Sequence, residues 1–168
     1  MLSISPLVSA DIPQISAAFD AIGWRKPPEQ YRAYLADCVG GSRLVAVARW
    51  DGIFAGYATL NWQSSYPPFG SARIPEIEDL NVLPPFRLRG IASRLLDHVE
   101  GEAFERSRIV GIGVGLSADY GPAQRLYARR GYVPDGAGAM SHGKLLIPGE
   151  SVRVDDDLVL HLTKRPGA

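Results

Sequence analysis

Apolar residues recur at helical spacing in three long segments of the chain. The pattern predicts a helix over Asp11–Ile22 with Ser9 as its N-cap, and a second helix from about Glu29 to Val39. A third helix is predicted from Ile91 to about Arg106, with one apolar face and with charged residues, Glu100 among them, on its other faces. Each of these helices is therefore expected to flank a sheet.

Other apolar runs have the length and composition of strands. The runs Leu44–Trp50 and Ile53–Trp62 are joined by Asp51-Gly52, a pair that favours a tight antiparallel hairpin. The segment Gln63–Pro75 is rich in proline and glycine and is predicted to be a surface loop. Further strands are predicted at Ser3–Val8, Glu76–Leu83 and Ile109–Leu116.

Glycine alternates with aliphatic residues in the last of these strands. Gly111, Gly113 and Gly115 share one face, and a face without side chains allows another backbone, a helix or a cofactor to approach closely. The run does not match a dinucleotide-binding fingerprint, because its third glycine would have to stand where Leu116 is and because the glycines lie within the strand.

The chain after this strand predicts one helix and two more strands. The helix runs from about Gly121 to Arg130 and ends at Gly131, and the strands lie within 132–164, around a Pro148-Gly149 turn. We therefore expect one domain over 1–168 of the α/β (α+β) class. Its central twisted sheet is mixed and mainly antiparallel, with about seven strands flanked by about four helices.

Composition limits the partners of this domain. Lys plus Arg and Asp plus Glu both total 18, so no net charge would attract nucleic acid or an anionic membrane, and any anion site must be local. The single cysteine, Cys38, cannot form an intramolecular disulfide. Neither a signal peptide nor a membrane span is predicted, so the expected location is cytoplasmic.

The segment Arg87–Ala92 is the candidate anion site. It lies between a strand end and a helix start, where unpaired amide groups and the helix dipole attract phosphate. Gly90 allows the backbone to turn closely around an anion, and Arg87 and Arg89 add positive charge.

Two motifs in this region resemble those of the GNAT acetyltransferase superfamily. Arg87, Gly90 and Ala92 fill the pattern Arg/Gln-x-x-Gly-x-Gly/Ala of its phosphate loop, after a strand that ends in Leu80-Asn81-Val82. The later run Ala123–Tyr132 matches Ala-x-x-Leu-Tyr-x-x-x-Gly-Phe/Tyr of its short helix. Many relatives carry asparagine where this chain has Tyr120.

The resemblance implies that acetyl-CoA is the co-substrate and that no metal is needed. The implied contacts are the backbone of Leu80 to Val82, which would bind the pantetheine arm as an extra strand, and the phosphate loop. A backbone amide near Leu80 would then stabilise the oxyanion. The implied cofactor-binding residues are Leu80, Asn81, Val82, Arg87, Leu88, Arg89, Gly90, Ile91, Ala92, Ser93, Tyr120 and Ala123.

Tyr127 stands at the position that matches the general acid of the family. A phenol can protonate a departing thiolate. The alternative is a core aromatic residue.

For the base, Glu76 and Glu78 are equal candidates, since alternation along a strand places them on one face and Asp79 on the other. Either carboxylate could take a proton from the amine through water, and the alternative is a pair of solvated charges.

Few other residues suggest chemistry. Trp24, Tyr66 and Phe69 lie in loops where relatives shape their acceptor pocket, and could stack on an acceptor or hold its ammonium group over a ring. The alternative is that they are scattered surface aromatics. Asp155-Asp156-Asp157 lacks the spacing of a calcium loop and is interpreted as a charged strand entrance. The three histidines lack zinc spacing and are interpreted as structural or exposed.

The sequence therefore predicts an N-acetyltransferase that transfers an acetyl group directly from acetyl-CoA to a primary amine. The acceptor is a small molecule or a peptide whose identity the sequence does not specify, and the protein is a monomer or a homodimer. The alternatives are an inactive acyl-CoA-binding sensor and an acyltransferase that uses a longer acyl donor.

Overall fold

A computed structural model describes residues 1–167 of the chain. The chain forms two compact units that are interleaved along the sequence. The first unit consists of residues 1–62 and 77–102, and the second consists of residues 63–76 and the chain from residue 103 onward. The chain therefore passes between the units at three places, after Trp62, after Glu76 and after Glu102.

Eight strands and five α-helices follow one another within residues 1–167. The strands are β1 (Leu2–Pro6), β2 (Arg43–Trp50), β3 (Ile53–Asn61), β4 (Glu76–Val82), β5 (Val110–Gly115), β6 (Val133–Ser141), β7 (Lys144–Leu145) and β8 (Leu158–Lys164). The helices are α1 (Ile12–Asp20), α2 (Pro28–Val39), α3 (Pro67–Ala72), α4 (Ile91–Arg106) and α5 (Gly121–Arg129). The α/β class with a mixed, mainly antiparallel sheet is confirmed, with one strand and one helix more than predicted.

In the first unit the strands lie in the order β1-β2-β3-β4. The antiparallel hairpin of β2 and β3 is confirmed. Asp51 and Gly52 both have positive φ, +50° and +81°, which is the conformation that a two-residue hairpin turn requires. The helices α1 and α2 close a core whose buried members are Leu7, Ile12, Ile15, Phe19, Tyr31, Val45, Val47, Phe54, Tyr57 and Leu83.

The start of α1 differs from the prediction. Ser9 lies in a 3-10 turn over Ser9–Asp11 and is not the N-cap of the helix. The carboxylate of Asp11 accepts a hydrogen bond from the Val8 amide at 3.0 Å and pairs with the Arg49 guanidinium. An aspartate that satisfies both groups fixes the chain at the helix entrance, which Ser9 cannot do from its place in the turn.

Helix α4 has the predicted bounds and the predicted apolar face. Leu95, Leu96, Val99 and Ala103 are fully buried. Glu100 was expected on an outer face, but it is only 5% exposed, so this expectation is wrong. A charged residue next to Val99 widens the buried face of the helix, and periodicity alone assigns such a residue to solvent.

In the second unit the strands lie in the order β5-β8-β6-β7. The tail forms three strands where two were predicted. The turn between β6 and β7 is His142-Gly143, with φ of +48° and +78°, and Pro148-Gly149 lies in the connection from β7 to β8. The predicted turn at Pro148-Gly149 is present, and the amide of Glu150 donates to the carbonyl of Ile147 across it at 3.2 Å. The additional turn at His142-Gly143 was not predicted, and it divides the chain before Pro148 into two strands.

The segment 63–75 is not the surface loop that was predicted. It contains α3, which begins with two prolines at positions where a helix needs no amide donor. Tyr66 and Phe69 are 2% and 1% exposed. The Phe69 ring covers Gly111 of β5, so a side chain fills part of the glycine face. The Tyr120 ring covers Gly115 in the same way.

Two expectations from the sequence concern membrane-spanning helices and the number of domains. No helix in residues 1–167 is both long enough and apolar enough to cross a membrane. The prediction of a single domain over 1–168 stays a prediction.

The packing of Phe69 on Gly111 predicts a loss of stability in the Gly111→Ala variant. Its new Cβ would overlap the ring atoms of Phe69, and overpacking of this kind lowers the free energy of unfolding by about 1–3 kcal/mol. Denaturant unfolding followed by circular dichroism measures the change. Gly101→Ala is the control, because a Cβ there meets nothing within 4 Å and an alanine in a helix is worth about 1 kcal/mol more than glycine. Equal stability of the two variants would contradict the packing argument.

Candidate functional site

The turn between β4 and α4 has the geometry of an anion site. Leu88 and Gly90 both have left-handed φ, +60° and +77°, on either side of Arg89. The turn ends where the amide of Arg94 donates to the carbonyl of Gly90 at 3.1 Å, the first hydrogen bond of α4. Residues 87–90 are exposed, and the side chain of Leu88 is fully in solvent. Turns of this kind direct backbone amides at a bound anion.

The two arginines of the turn lie against aromatic rings in the first unit. The Nε of Arg87 donates to the carbonyl of Val82 at 3.2 Å, and its guanidinium lies 5.7 Å from the centre of the Trp24 ring. The guanidinium of Arg89 lies 5.2 Å from the centre of the Trp50 ring. Both charges are therefore held beside the turn without an acidic partner in these contacts.

Strand β4 lies very close to β3 beside this turn. A Cβ at Gly56 would overlap the carbonyl oxygen of Asn81 and crowd the Cα of Val82. The amide of Leu83 donates to the carbonyl of Ala55 at 2.9 Å. Glycine at position 56 is thus required for the backbone approach, and the predicted pantetheine-binding residues 80–82 are held by β3 on one side.

Asp79 has the least expected backbone conformation of the site. It lies in the middle of β4 with a φ of +52°, a left-handed value that non-glycine residues rarely adopt within a strand. Its Oδ2 accepts hydrogen bonds from Gln30 at 2.7 Å and from the hydroxyl of Tyr34 at 2.7 Å. The same oxygen accepts from the hydroxyl of Tyr57 at 2.9 Å, and Oδ1 accepts from the Lys26 ammonium at 2.7 Å.

The charge of Asp79 is stabilised in spite of its burial. Burial by itself raises the pKa of this carboxyl group, but the ammonium of Lys26 and the hydroxyls of Tyr34 and Tyr57 hold its pKa below the usual value. Sequence reasoning named Asp79 but none of its four partners. A lysine, a glutamine and two tyrosines, spread over α2, the connection before it and β3, give no signal in one sequence.

Glu78 belongs to the same network, which is contrary to the expected alternation. Its Oε2 pairs with the guanidinium of Arg43 at 2.7 Å, and Oε1 accepts from the amide of Asn61 at 3.1 Å. Arg43 in turn lies over the ring of Tyr34, 4.6 Å from its centre, and Tyr34 binds Asp79. The left-handed residue interrupts the pleat, so the two neighbouring carboxylates bind side chains that contact each other, Arg43 and Tyr34.

Glu76, the other candidate base, lies in the second unit and has different partners. It is 7% exposed, and its Oε2 accepts a hydrogen bond from the Ser64 hydroxyl at 2.5 Å. Its Oε1 lies 3.4 Å from Nε2 of His161. The imidazole is stacked on the Tyr66 ring with centroids 3.6 Å apart. His161 is therefore a buried partner of a candidate base, and an isolated polar residue in the apolar run of β8 is the signal that could have marked it.

Tyr127, the candidate general acid, lies on α5 and is 5% exposed. Its ring centre is 5.8 Å from that of Tyr132. Burial, with a smaller effect of Tyr120, raises the pKa of Tyr127 above its ordinary value, so the hydroxyl carries its proton at neutral pH.

Tyr120 and Ala123 lie at the start of α5. Tyr120 ends a 3-10 turn, and its hydroxyl donates to Asp156 at 3.1 Å. Burial and Asp156 raise the pKa of Tyr120 to about 12. Ala123 is half-buried in the first turn of the helix. The position that asparagine takes in many relatives is thus filled by a ring that packs on Gly115.

The aromatic residues expected at the acceptor pocket have unequal exposure. Trp24 is 36% exposed and stacks on Phe19 with ring centres 5.9 Å apart. Tyr66 donates a hydrogen bond to Asp135 at 2.7 Å, and Phe69 covers Gly111, so both are core residues of the second unit. Acceptor binding by these three residues stays a prediction, and burial favours a packing role for Tyr66 and Phe69.

One group of potential metal ligands forms at the β6–β7 turn. Nε2 of His142 lies 3.4 Å from a carboxylate oxygen of Asp157 and 3.8 Å from one of Asp155. Two of these residues are exposed, and exposed acidic groups are common without a bound ion. The contacts place a histidine beside the two carboxylates that precede β8.

Comparison with known proteins identifies the family. Residues 12–132 match the Acetyltransferase (GNAT) family, which is more than half of the chain and includes the β4–α4 turn and Tyr127. The chain belongs to the GNAT acetyltransferase family. It is therefore a transferase whose family uses acetyl-CoA as the acetyl donor.

Solved structures have the same fold at low sequence identity. An N-acetyltransferase from Staphylococcus aureus Mu50 is 19% identical, with 98% of both chains covered and a TM-score of 0.72. The ribosomal-protein-alanine N-acetyltransferase from Brucella melitensis is 21% identical, with 97% of this chain and 99% of that one covered and a TM-score of 0.71. The yncA protein from Salmonella typhimurium, with its cofactor acetyl-CoA, is 18% identical, with 98% and 93% covered and a TM-score of 0.71. No curated protein matches the chain.

The residues of this GNAT protein fit a CoA pyrophosphate at the β4–α4 turn. The turn offers an exposed helix N-terminus, a left-handed glycine where a Cβ would meet nothing within 4 Å, and two neighbouring guanidinium groups. A phosphate would thus meet amide dipoles and positive charge in a protein without net charge.

The left-handed turn predicts that Gly90→Ala weakens the affinity for CoA. An alanine at φ of +77° costs about 1–2 kcal/mol, and relief of that strain moves the amides away from the anion. Calorimetric titration with CoA should show affinity at least about tenfold weaker. Gly41→Ala is the matched control, because Gly41 has a φ of +76° in a turn after α2. It should lose similar stability and keep its affinity, and equal affinity of both variants would contradict this role of Gly90.

Proposed function

We propose that this GNAT protein transfers an acetyl group from acetyl-CoA directly to a primary amine. The observation that carries the proposal is the β4–α4 turn, where two left-handed residues lead into a long helix beside two arginines. This arrangement is suited to a pyrophosphate, and membership of the family supplies the acetyl donor. The thioester supplies an activated acetyl group, and the residues of the chain bind it and move protons.

Binding of the donor is assigned to the strand and the turn together. The backbone of Leu80 to Val82 takes the pantetheine arm by β-augmentation, and residues 87–93 take the phosphates. An amide near Leu80 stabilises the oxygen on which negative charge develops. The close approach of Gly56 supports this assignment, because it holds that backbone against β3 and so limits its motion.

Tyr127 is proposed as the general acid. A departing CoA thiolate needs a proton, and a phenol with a raised pKa keeps its proton at every pH at which the enzyme would operate. The burial of its ring supports the role, because burial raises the pKa of the phenol and keeps it protonated.

One of two carboxylates, Glu76 or Glu78, is proposed to take the proton of the amine through a water molecule. An acceptor amine is mostly protonated near pH 7, because the pKa of a lysine-like amine is about 10.4. Glu78 is paired with Arg43, whereas Glu76 is buried beside His161 and Ser64. The two environments differ enough for single substitutions to separate the roles.

The acceptor is proposed to be an amine on a small molecule or a peptide. Two of the structures with this fold are ribosomal-protein-alanine N-acetyltransferases from Brucella melitensis and Escherichia coli, so protein N-termini belong in any screen of acceptors. A cytoplasmic location and a monomeric or dimeric state are part of the same proposal.

The test of this function is thiol release from acetyl-CoA across a panel of amines, with acetylated products identified by mass. The panel contains peptides with free N-termini, lysine peptides, polyamines, amino sugars and amino acids, and each is repeated with a longer acyl-CoA. Release that depends on an amine supports the proposal. Binding of CoA without release from any acceptor would instead favour a sensor, and preference for the longer donor would assign a different acyl group.

The role of Tyr127 predicts that Tyr127→Phe lowers kcat by about 10²- to 10⁴-fold, the contribution of a general acid. The affinity for CoA should stay unchanged, because the ring and its packing on Tyr132 remain. Because its pKa is raised, wild-type kcat should show no loss from Tyr127 below about pH 10. Single-turnover rates with the best acceptor measure both effects, and an unchanged chemical rate in the variant would exclude the role.

The two carboxylates are compared through Glu76→Gln and Glu78→Gln. The variant of the true base should lose about 10²- to 10⁴-fold in kcat and lose the acidic limb of the pH profile, while its affinity for CoA is kept. The other variant serves as the control. Full activity in both variants would show that neither carboxylate is the base.

A further inference from the structure

We propose that Asp79 is a positioning residue, whose carboxylate network holds the β4 backbone in the shape that binds the pantetheine arm and links that shape to α2. The inference rests on the proposed use of Leu80 to Val82 as the CoA-binding strand. It concerns a residue whose side chain reaches away from β4 into the first unit, toward Lys26, Gln30 and Tyr34.

The backbone conformation of Asp79 needs an external cause. A φ of +52° within a strand is unfavourable for any residue with a Cβ, and β4 contains no glycine. Such a conformation persists only where the surroundings determine it more strongly than the strain opposes it. The residue that follows is Leu80, the first residue of the proposed pantetheine strand.

The side-chain network of Asp79 supplies that cause. One carboxylate accepts four hydrogen bonds of 2.7 to 2.9 Å, one of them from an ammonium group. Hydrogen bonds to a charged acceptor are among the stronger ones in proteins, and the carboxylate is only 22% exposed, so water competes little for them. The side chain makes all four with the backbone turned as it is at this position.

The donors come from three separate places in the first unit. Lys26 lies in the connection before α2, Gln30 and Tyr34 lie one turn apart on α2, and Tyr57 lies on β3. Gln30 also donates to the hydroxyl of Tyr34 at 3.1 Å, so the donors support one another. The carboxylate therefore fixes α2 and its entrance to β4.

The backbone beyond Asp79 is held by contacts of its own. The amide of the Asn81 side chain donates to the carbonyl of Asp79 at 3.0 Å, which fixes the peptide after the left-handed residue. On the β3 side Gly56 admits the carbonyl of Asn81. The segment from Asp79 to Val82 is thus constrained at its start by the carboxylate network and further along by β3.

In β4 the side chain of Asp79 therefore positions the backbone, and the backbone of Leu80 to Val82 binds CoA. Loss of the carboxylate would let the backbone at residue 79 relax toward ordinary strand geometry and shift the amides of Leu80 to Val82. Misplacement of a binding strand by about 1 Å can reduce function by about 100-fold. The loss should therefore appear in the affinity for CoA and not only in stability.

The experiment compares CoA affinity, measured by calorimetry, in the wild type and in Asp79→Asn and Asp79→Gly. Asparagine tolerates left-handed φ but replaces one acceptor oxygen with an amide that would face donors, and glycine removes the network without strain. Both variants should bind CoA at least about tenfold more weakly, and the KM for acetyl-CoA should rise by the same factor. Tyr34→Phe removes one donor and should give a smaller loss in the same direction.

Asp51→Asn is the matched control, because Asp51 has a φ of +50° in the exposed β2–β3 turn and has no role in the proposed site. Its affinity should equal that of the wild type. Asp79 variants that melt at a lower temperature but keep wild-type affinity and KM would overturn the positioning role and leave the proposed function intact. A wild-type protein that binds no CoA would overturn the proposed function, and this inference with it. If Asp79→Asn does not fold, Asp79→Gly and Tyr34→Phe decide the matter by the same criteria.

Discussion

The segment from β4 to α4 carries three residues with left-handed backbone: Asp79, Leu88 and Gly90. Each reverses the local direction of the peptide groups, and the rest of the candidate site is arranged around them. The first lies in the strand, held by a buried carboxylate network, and the others form the turn that opens the helix. This conformation is unfavourable for residues with a Cβ, such as Asp79 and Leu88. Its use at both positions therefore costs conformational free energy that a regular strand-turn-helix would not.

In the proposed function, the same segment attracts a highly charged co-substrate to a protein without net charge. The amide groups of the turn and the helix dipole act over a short range, and Arg87 and Arg89 lie against Trp24 and Trp50 where no carboxylate neutralises them in these contacts. Two acidic side chains of β4 are instead paired with basic residues, Glu78 with Arg43 and Asp79 with Lys26. Charge is thus separated locally while the total stays at zero.

Local signals in the sequence were sufficient for much of the fold. Asp51-Gly52 identified a hairpin, Gly131 ends α5 with a φ of +85°, and α4 has its predicted bounds because its apolar face is regular. The errors arose where distant residues decide. Phe69 is buried because Gly111, far along the chain, leaves room for its ring, and no local pattern around Pro67-Pro68 contains that information.

In the candidate site, too, the sequence predicts the local features and not those that depend on distant residues. The β4–α4 turn and Tyr127 could be proposed from the sequence, the turn from its place at a helix start and Tyr127 from its resemblance to a family motif, because both signals are local. The conformation of Asp79 was not predicted, since alternation assumes a regular pleat and an aspartate in a strand does not indicate a left-handed φ. His161 was read as structural or exposed, and its place beside Glu76 depends on strands that are far apart in sequence.

The most direct test of the central claim is a titration of isotopically labelled protein with CoA, followed by nuclear magnetic resonance of the backbone amides. The account predicts saturable shifts that are largest at residues 88–92 and 80–82 and that grow with the same affinity at both places. Shifts that are absent at millimolar CoA in folded protein, or that cluster elsewhere and leave the amides of Gly90 and Ile91 unmoved, would contradict it.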